Sequence, residues 1–474
     1  MTAPTAAVHR RGRRWIEHWD PEDAEFWENG GKRIARRNLA YSVLAEHIGF
    51  SVWSMFSVLA LFMGPEYGID AAGKFFLVAV ASLVGAVLRV PYGFAVARFG
   101  GRNWTVFSAG MLLLPMIALL FVLEPGTSYG TFVAVAVLTG VGGANFASAM
   151  TNINSFYPLR LKGRALGLNA GGGNIGVAVV QLAALLVIGV AGADRPRLLL
   201  AAYLPLIVLA TLCALRYMDN LGPVTNDTGA AREAAADRHT WIMAVLYIGT
   251  FGSFIGYSFA FGLVLQGQFD RTPLQAAALT FIGPLLGSLI RPVGGQLADR
   301  RGGARVTLWT FVLMTAASAV VITASIRASL PLFVTGFVLL FILTGVGNGS
   351  SYKMIPAIHE AGARSRGLTG EAASAHARRL SGAAMSLIGA VGAIGGLGIN
   401  LALRQSFVST GGGTGAFIAF ACYYVLCAFV TWAVYLRVRP LAAAGRNTAA
   451  GRNTEEMPAN RDRHGPLTGS APGR

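Results

Sequence analysis

Apolar windows of about 20 residues recur along the chain, separated by short polar turns. A helix rises about 1.5 Å per residue, so each window is long enough to cross the roughly 30 Å hydrocarbon core of a bilayer. Six windows fall at approximately 41–63, 74–97, 104–123, 130–152, 165–190 and 197–215. The polar stretch RYMDNLGPVTNDTGAAREAAADRH follows, and six more windows lie near 241–264, 274–297, 305–326, 331–355, 381–401 and 414–436. The pattern predicts an all-α membrane protein of twelve transmembrane helices in two six-helix halves. It divides the chain into a basic N-terminal arm (1–40), a first half (41–215), a linker (216–240), a second half (241–440) and a tail (441–474). The tail is rich in Ala, Gly, Asn and Arg and is expected to be disordered. No cleavable signal precedes the first window, which is expected to serve as the insertion signal.

Composition agrees with this reading. The 474 residues are 54% hydrophobic and 13% charged, with mean hydropathy +0.54, whereas about a quarter of the residues in soluble proteins are charged. The net charge of +17 does not point to nucleic acid, because the basic residues gather in short loops beside apolar runs. KRIARR before the first window, ARFGGR after the second, RLKGR after the fourth, DRRGGAR after the eighth and RVRP after the twelfth fall on one side. The opposite loops include EPGTSYG and QGQFDRT. By the positive-inside rule both termini are expected to be cytoplasmic, in a multi-pass protein of the cytoplasmic membrane. Cys213, Cys422 and Cys427 sit in apolar stretches without metal-ligand spacing, so a packing role is expected and no metal.

The halves are related by sequence. LRVPYGFAVARFGGRNWT (88–105) aligns without gaps on IRPVGGQLADRRGGARVT (290–307), which places Arg89 on Arg291 and Gly100 on Gly302. TGVGGANF from Thr139 matches TGVGNGSS from Thr344, and GNIG (173–176) matches GAIG (392–395). A parallel repeat of two six-helix halves is the layout of the major facilitator fold, in which substrate binds between the halves near mid-membrane. One departure stands out: Ala97 occupies the position of Asp299 in the second copy, which weakens a gating contact expected in the first half.

Arg89 and Arg291 lie about two thirds of the way along their windows, at similar depth on opposite walls of one cavity. An unpaired arginine at mid-membrane costs roughly 2.5–3.5 kcal/mol, and two cost about 5–7 kcal/mol. Each could cap backbone carbonyls or pair with a carboxylate in a gate, but no Asp or Glu lies in the middle of a window; Glu46 and His47 stand near the start of the first, and Lys353 near the end of the tenth. The missing partner is then a mobile anion. The planar, permanently charged guanidinium suits planar oxyanions better than lysine does.

The fifth and eleventh windows carry glycine runs, NAGGGNIGVAVVQ (169–181) and GAVGAIGGLGINL (389–401). In a membrane such runs let helix backbones approach closely, and they leave room for a small ligand and for sliding. Asn174 breaks the apolar surface of the first run; its amide either donates to an anion or bonds a neighbouring helix. Tyr257 and Phe261 are four apart and share a helix face, which ordinary packing also explains.

The two glycine-rich stretches resemble the paired signatures of the nitrate/nitrite porter family of the major facilitator superfamily. GFSVWSMFS, NFASAMTNINSFYP, GSFIGYSFAFG and GVGNGSSYKMIPAI extend the resemblance from about residue 15 to 437. It implies that Arg89 and Arg291 clamp the anion, that Asn174 hydrogen-bonds it, and that Phe146, Tyr257 and Phe261 form the aromatic part of the pocket. Gly172, Gly173, Gly176, Gly392, Gly395 and Gly396 would serve gating, and Glu46 or His47 would serve any proton coupling.

No Walker sequence, paired carboxylates or His/Cys cluster suggests an enzyme, and no cofactor is expected. The expected function is nitrate and nitrite transport by alternating access in a monomer, with exchange preferred. Proton-coupled nitrate symport, transport of another small monovalent anion and a transport-dead nitrate sensor are the alternatives.

Overall fold

The computed structural model of the chain describes residues 10–11, 14–222, 224 and 227–437. The expected tail and residues 1–9, 12 and 13 of the basic N-terminal arm lie outside the described residues. Among them, eleven helices are long and apolar enough to cross a membrane, and a bent pair makes a twelfth. The bent pair, α1, runs Ala24–Trp53 and Met55–Phe62 with a 41° turn between them. It is followed by α2 (Ala71–Phe99), α3 (Gly101–Val122), α4 (Tyr129–Phe156), α5 (Arg160–Ala191) and α6 (Arg197–Tyr217). The second set is α7 (Arg238–Phe269), α8 (Pro273–Arg301), α9 (Gly303–Ile326), α10 (Leu330–Ser365), α11 (Gly370–Thr410) and α12 (Thr414–Arg437).

The bend in α1 has a local cause. Ser51 Oγ donates to the His47 carbonyl at 3.0 Å, Ser54 Oγ to that of Phe50 at 2.9 Å and Ser57 Oγ to that of Ser54 at 2.6 Å. Serines that bond back into the preceding turn bend helices in this way. α1 also begins well before the apolar window: a short segment starts at the Asp23 cap, whose side chain accepts from the backbone N–H groups of Glu25 and Phe26, and leads through a kink at Gly30 into Lys32–Trp53. Residues 24–40 are polar on average, yet Phe26, Trp27, Ile34 and Ala35 are buried, most of them against Ile153, Phe156 and Leu221. A hydropathy window averages over such a one-sided stripe and misses the helix. Next to it, strands at Arg10–Arg11, Trp15–Ile16 and Asn220–Leu221 form a small sheet that ties the arm to the linker. Buried Asp219 anchors this corner, accepting from Arg37 and from Asn38 Nδ2, the latter at 3.1 Å.

The repeated loops after α2 and α8 turn at Gly100 (φ 84°) and Gly302 (φ 89°), a region that side chains rarely enter. Asp299 in the second loop pairs with Lys353 at 2.9 Å, with both side chains half exposed. That contact uses the lysine the sequence placed near the helix end. The first half carries Ala97 and Ser148 at the corresponding repeat positions.

Across the halves, α11 packs along α2 and α5 along α8. At the end away from the linker, Gln181 Nε2 donates to the Ser258 carbonyl at 2.7 Å and Gln266 Nε2 to the Leu61 carbonyl at 3.1 Å. At the linker end, a short helix, Thr228–Ala236, docks on α11. Asp227 meets Arg379 Nη2 at 3.0 Å, and Glu233 meets Arg366 at 2.8 Å. Arg379 beside it, with the Ala230 backbone N–H, pulls the Asp227 carboxyl down to about 2, so this surface contact is ionised throughout the physiological range.

Candidate functional site

Both arginines are buried at the meeting of the halves. Arg89 is 2% exposed and Arg291 8%. Arg89 Nε donates to the Gly143 carbonyl of α4 at 3.2 Å, and Nη1 crosses to the Gly389 carbonyl of α11 at 3.0 Å. Its Nη2 has no partner among the described residues. The guanidinium carbon lies 4.6 Å from the Phe146 ring centroid, 5.0 Å from Phe251 and 5.5 Å from Trp53. These are cation–π distances, and Phe251 belongs to the opposite half. Arg291 Nη2 donates to the Tyr247 hydroxyl at 3.2 Å, its carbon lies 5.3 Å from the Tyr352 ring, and Nη1 has no partner among the described residues. Tyr247 stacks on Phe251 at 5.2 Å and meets Tyr352 at 5.1 Å. The result is an aromatic slot with a guanidinium from each half and one free N–H edge on each.

Phe146 is in this slot, 6.1 Å from Phe251. Tyr257 and Phe261 are not in contact with the arginines. Tyr257 hydrogen-bonds Tyr424 and packs on Phe337 and Phe420, and Phe261 stacks on Phe337 at 4.7 Å. The aromatic pair that does meet the arginines, Tyr247 and Phe251, lies ten residues earlier on the same helix with the same spacing of four. A π-helical turn at Ile248–Gly252 lies between Tyr247 and Tyr257, and ten residues are not a whole number of turns, so the pairs occupy different faces.

Glu46 overturns the reading that no carboxylate lies mid-span. Once α1 is traced from Ala24 to Phe62, Glu46 lies inside it, wholly buried. One turn further along α1, Phe50 packs 6.2 Å from Phe146, the ring that lies against Arg89, and Glu46 interacts electrostatically with both Arg89 and Arg291. Its Oε2 accepts from Asn169 Nδ2 at 2.5 Å, and its Oε1 has no partner among the described residues. His47, beside it, is tied to α5 through Nδ1 and the Gly172 carbonyl at 3.1 Å. Asn174 is 1% exposed, and its Oδ1 has no partner among the described residues. It lies two turns before Gln181 and so shares the face that Gln181 presents to the other half.

The six singled-out glycines are sites of close approach. A Cβ on Gly172 would strike Val43, on Gly173 Glu46, and on Gly176 the His47 backbone. In the second half, Gly392 faces Tyr247, Gly395 the Gly252 backbone and Gly396 Ile255. Gly173 and Gly392 are repeat-equivalent, so Glu46 on α1 and Tyr247 on α7 hold matching places, each packed on a glycine.

The Major Facilitator Superfamily family model matches residues 44–375. A nitrate/nitrite transporter, NarU, of Salmonella typhimurium is 40% identical, covering 90% of this chain and 97% of its own length. The chain belongs to the nitrate/nitrite porter family of the Major Facilitator Superfamily. The NarU of Escherichia coli is 38% identical over the same shares, and a probable nitrate/nitrite antiporter, NarK2, of Thermus thermophilus is 31% identical over 89% of this chain and 97% of its own. Among solved structures, a D-xylose-proton symporter matches with a TM-score of 0.60 at 15% identity, over 83% of this chain and 96% of its own. A bacterial homologue of the lysosomal transporter Spinster, inward-facing and occupied, also gives 0.60, at 16% identity over 85% and 97%. These two likenesses show the fold. In this porter chain Trp53, Tyr247, Phe251 and Tyr352 complete the slot, and a sequence reading missed all four. The signal available was the Tyr–Phe spacing of four in YIGTF (247–251), directly before the quoted GSFIGYSFAFG.

Proposed function

We propose that the chain carries nitrate and nitrite across the cytoplasmic membrane by alternating access, as a monomer with both termini in the cytoplasm. The observation that carries this reading is the pair of buried guanidiniums, one from each half, each with an unpartnered N–H edge. A planar monoanion in the Phe146–Phe251 slot accepts from both edges, and Asn174 donates to it. Tyr257 and Phe261 stiffen the wall behind Phe251. The close-packed glycines let one half rock against the other without large side chains catching.

Exchange is the proposed mode. With Glu46 ionised, the empty site carries a net +1 and the site holding a monoanion is neutral. Carrying net charge through a low-dielectric interior is unfavourable, so the loaded carrier returns faster than the empty one. At pH 8, vesicles loaded with nitrite are therefore expected to take up labelled nitrate several-fold faster than anion-free vesicles. Equal rates would sink exchange, and no uptake in either case would favour a nitrate sensor. The position of Glu46 gives the symport reading its one supporting observation.

Asn174→Ala is expected to weaken nitrate binding by about 1.5–3 kcal/mol if its amide bonds the charged ligand. Calorimetric titration of the purified protein checks this. Unchanged affinity would reassign Asn174 to contact between the halves.

A further inference from the structure

We propose that Glu46 is a proton site linked to the anion site: an anion entering between Arg89 and Arg291 draws a proton onto Glu46. The inference rests on the anion-clamp reading above. A carboxylate buried away from water is tolerable only when opposing charge offsets it. Burial is the largest influence acting on Glu46; the two guanidiniums and one hydrogen bond, from Asn169, offset it in part, and Glu46 forms no ion pair within 4 Å among the described residues. A monoanion placed on those guanidiniums cancels half of that offset and adds a like charge nearby. Both changes favour the neutral carboxylic acid. The unpartnered Oε1 is the free acceptor for the incoming proton, which comes from water on the side to which the site is open.

Among the described residues, no other group is placed to take this role. On α1 itself, His47 is committed to the Gly172 carbonyl. α2 contributes Arg89 and α8 contributes Arg291. α4 presents no charged residue between Val141 and Phe156. α5 contributes Asn169 and Gly173, and α6 contributes Tyr203, which is turned to Ser51. Arg102 of α3 is engaged with the Leu215 carbonyl at 2.7 Å.

The consequence is a carrier with two modes set by pH. At alkaline pH Glu46 stays ionised, the loaded site is neutral, and exchange dominates. At acid pH anion and proton occupy the site together, the loaded carrier then holds the same net +1 as the empty one, and the advantage of exchange over empty return is lost, so a larger share of nitrate enters with a proton.

The test is calorimetric titration of nitrate into the purified full chain between pH 5.5 and 8.5, in buffers of different ionisation enthalpy. The wild type is expected to take up a fraction of a proton per nitrate, reaching at most one. Its Kd should rise with pH by up to tenfold per unit. Glu46→Gln should show no proton uptake and a flat Kd, whereas His47→Gln should keep the wild-type slope. Proton uptake that persists in Glu46→Gln, or disappears in His47→Gln alone, overturns the proposal. So does a wild type that binds nitrate with no proton uptake at any pH, whether or not the Gln variant folds. A wild type that binds no nitrate at all sinks the clamp reading instead.

Discussion

Replacing either Arg89 or Arg291 by lysine is expected to remove most nitrate uptake while the protein still reaches the membrane. Lysine keeps the +1 charge but offers a compact point in place of a planar fork. Arg89 uses that fork fully: one nitrogen on the Gly143 carbonyl, one on the Gly389 carbonyl across the halves, and one left for a ligand. A single ammonium cannot span two carbonyls and an anion at once. Losing a charged hydrogen bond to the anion costs about 1.5–3 kcal/mol, or roughly ten- to 150-fold in affinity. Arg291→Lys gives up less scaffolding, since only the Tyr247 hydroxyl is bonded. Uptake by reconstituted variants, set against size-exclusion profiles that report folding, checks both. Arg89→Lys should also lower thermal stability, because Gly389 loses its donor, and Arg291→Lys should do so less. Near-normal uptake by either folded variant would refute the clamp.

The parts of this site that were legible in the sequence are those whose chemistry is anomalous for their surroundings. Two arginines in register inside apolar windows demand an explanation wherever they point, and the repeat alone sets them opposite one another. The glycine runs were legible for the same reason, since a membrane helix loses nothing by them only if something lies close. Aromatic residues carry no such signal. The chain has 27 Phe and 13 Tyr, and a buried ring in a lipid-facing bundle is ordinary, so Tyr257 and Phe261 could not be told from Tyr247 and Phe251 without knowing the face of α7. Glu46 was misread for another reason. Hydropathy averaging began the first helix at about residue 41, whereas the regular helix begins at Lys32, with Ile34 and Ala35 buried, and a kink at Gly30 joins it to a short segment that buries Phe26 and Trp27. The same residue that looked close to a helix end is thereby set deep in the bundle. The depth of a charged group was the quantity at issue, and it depended on a helix start that polar residues concealed.

Gly395→Leu is expected to abolish transport and to lower thermal stability as well. A Cβ on Gly395 would stand 2.7 Å from the Gly252 Cα and 3.1 Å from the Ile248 carbonyl oxygen. These are backbone atoms, so no rotamer change relieves the contact, and α11 must move away from α7. Overpacking in a well-packed interior costs about 1–3 kcal/mol when side chains can adjust; here the backbone itself must yield, so the loss should lie at or above that range. The displacement would also reach the site. Gly392, one turn earlier on α11, packs on the Tyr247 ring whose hydroxyl holds Arg291, and Gly389 supplies the carbonyl that holds Arg89. Pushing α11 outward therefore loosens both guanidiniums together, and nitrate binding should weaken along with transport. Gly398 is the internal control. It is on the same helix, three residues on, exposed and with nothing within 4 Å of an added Cβ, so Gly398→Leu should leave stability and uptake close to wild type. Thermal unfolding by intrinsic tryptophan fluorescence, read beside vesicle uptake, separates the two. If Gly395→Leu matched Gly398→Leu in both measurements, the close approach of α7 and α11 would not be what holds the arginine pair in place.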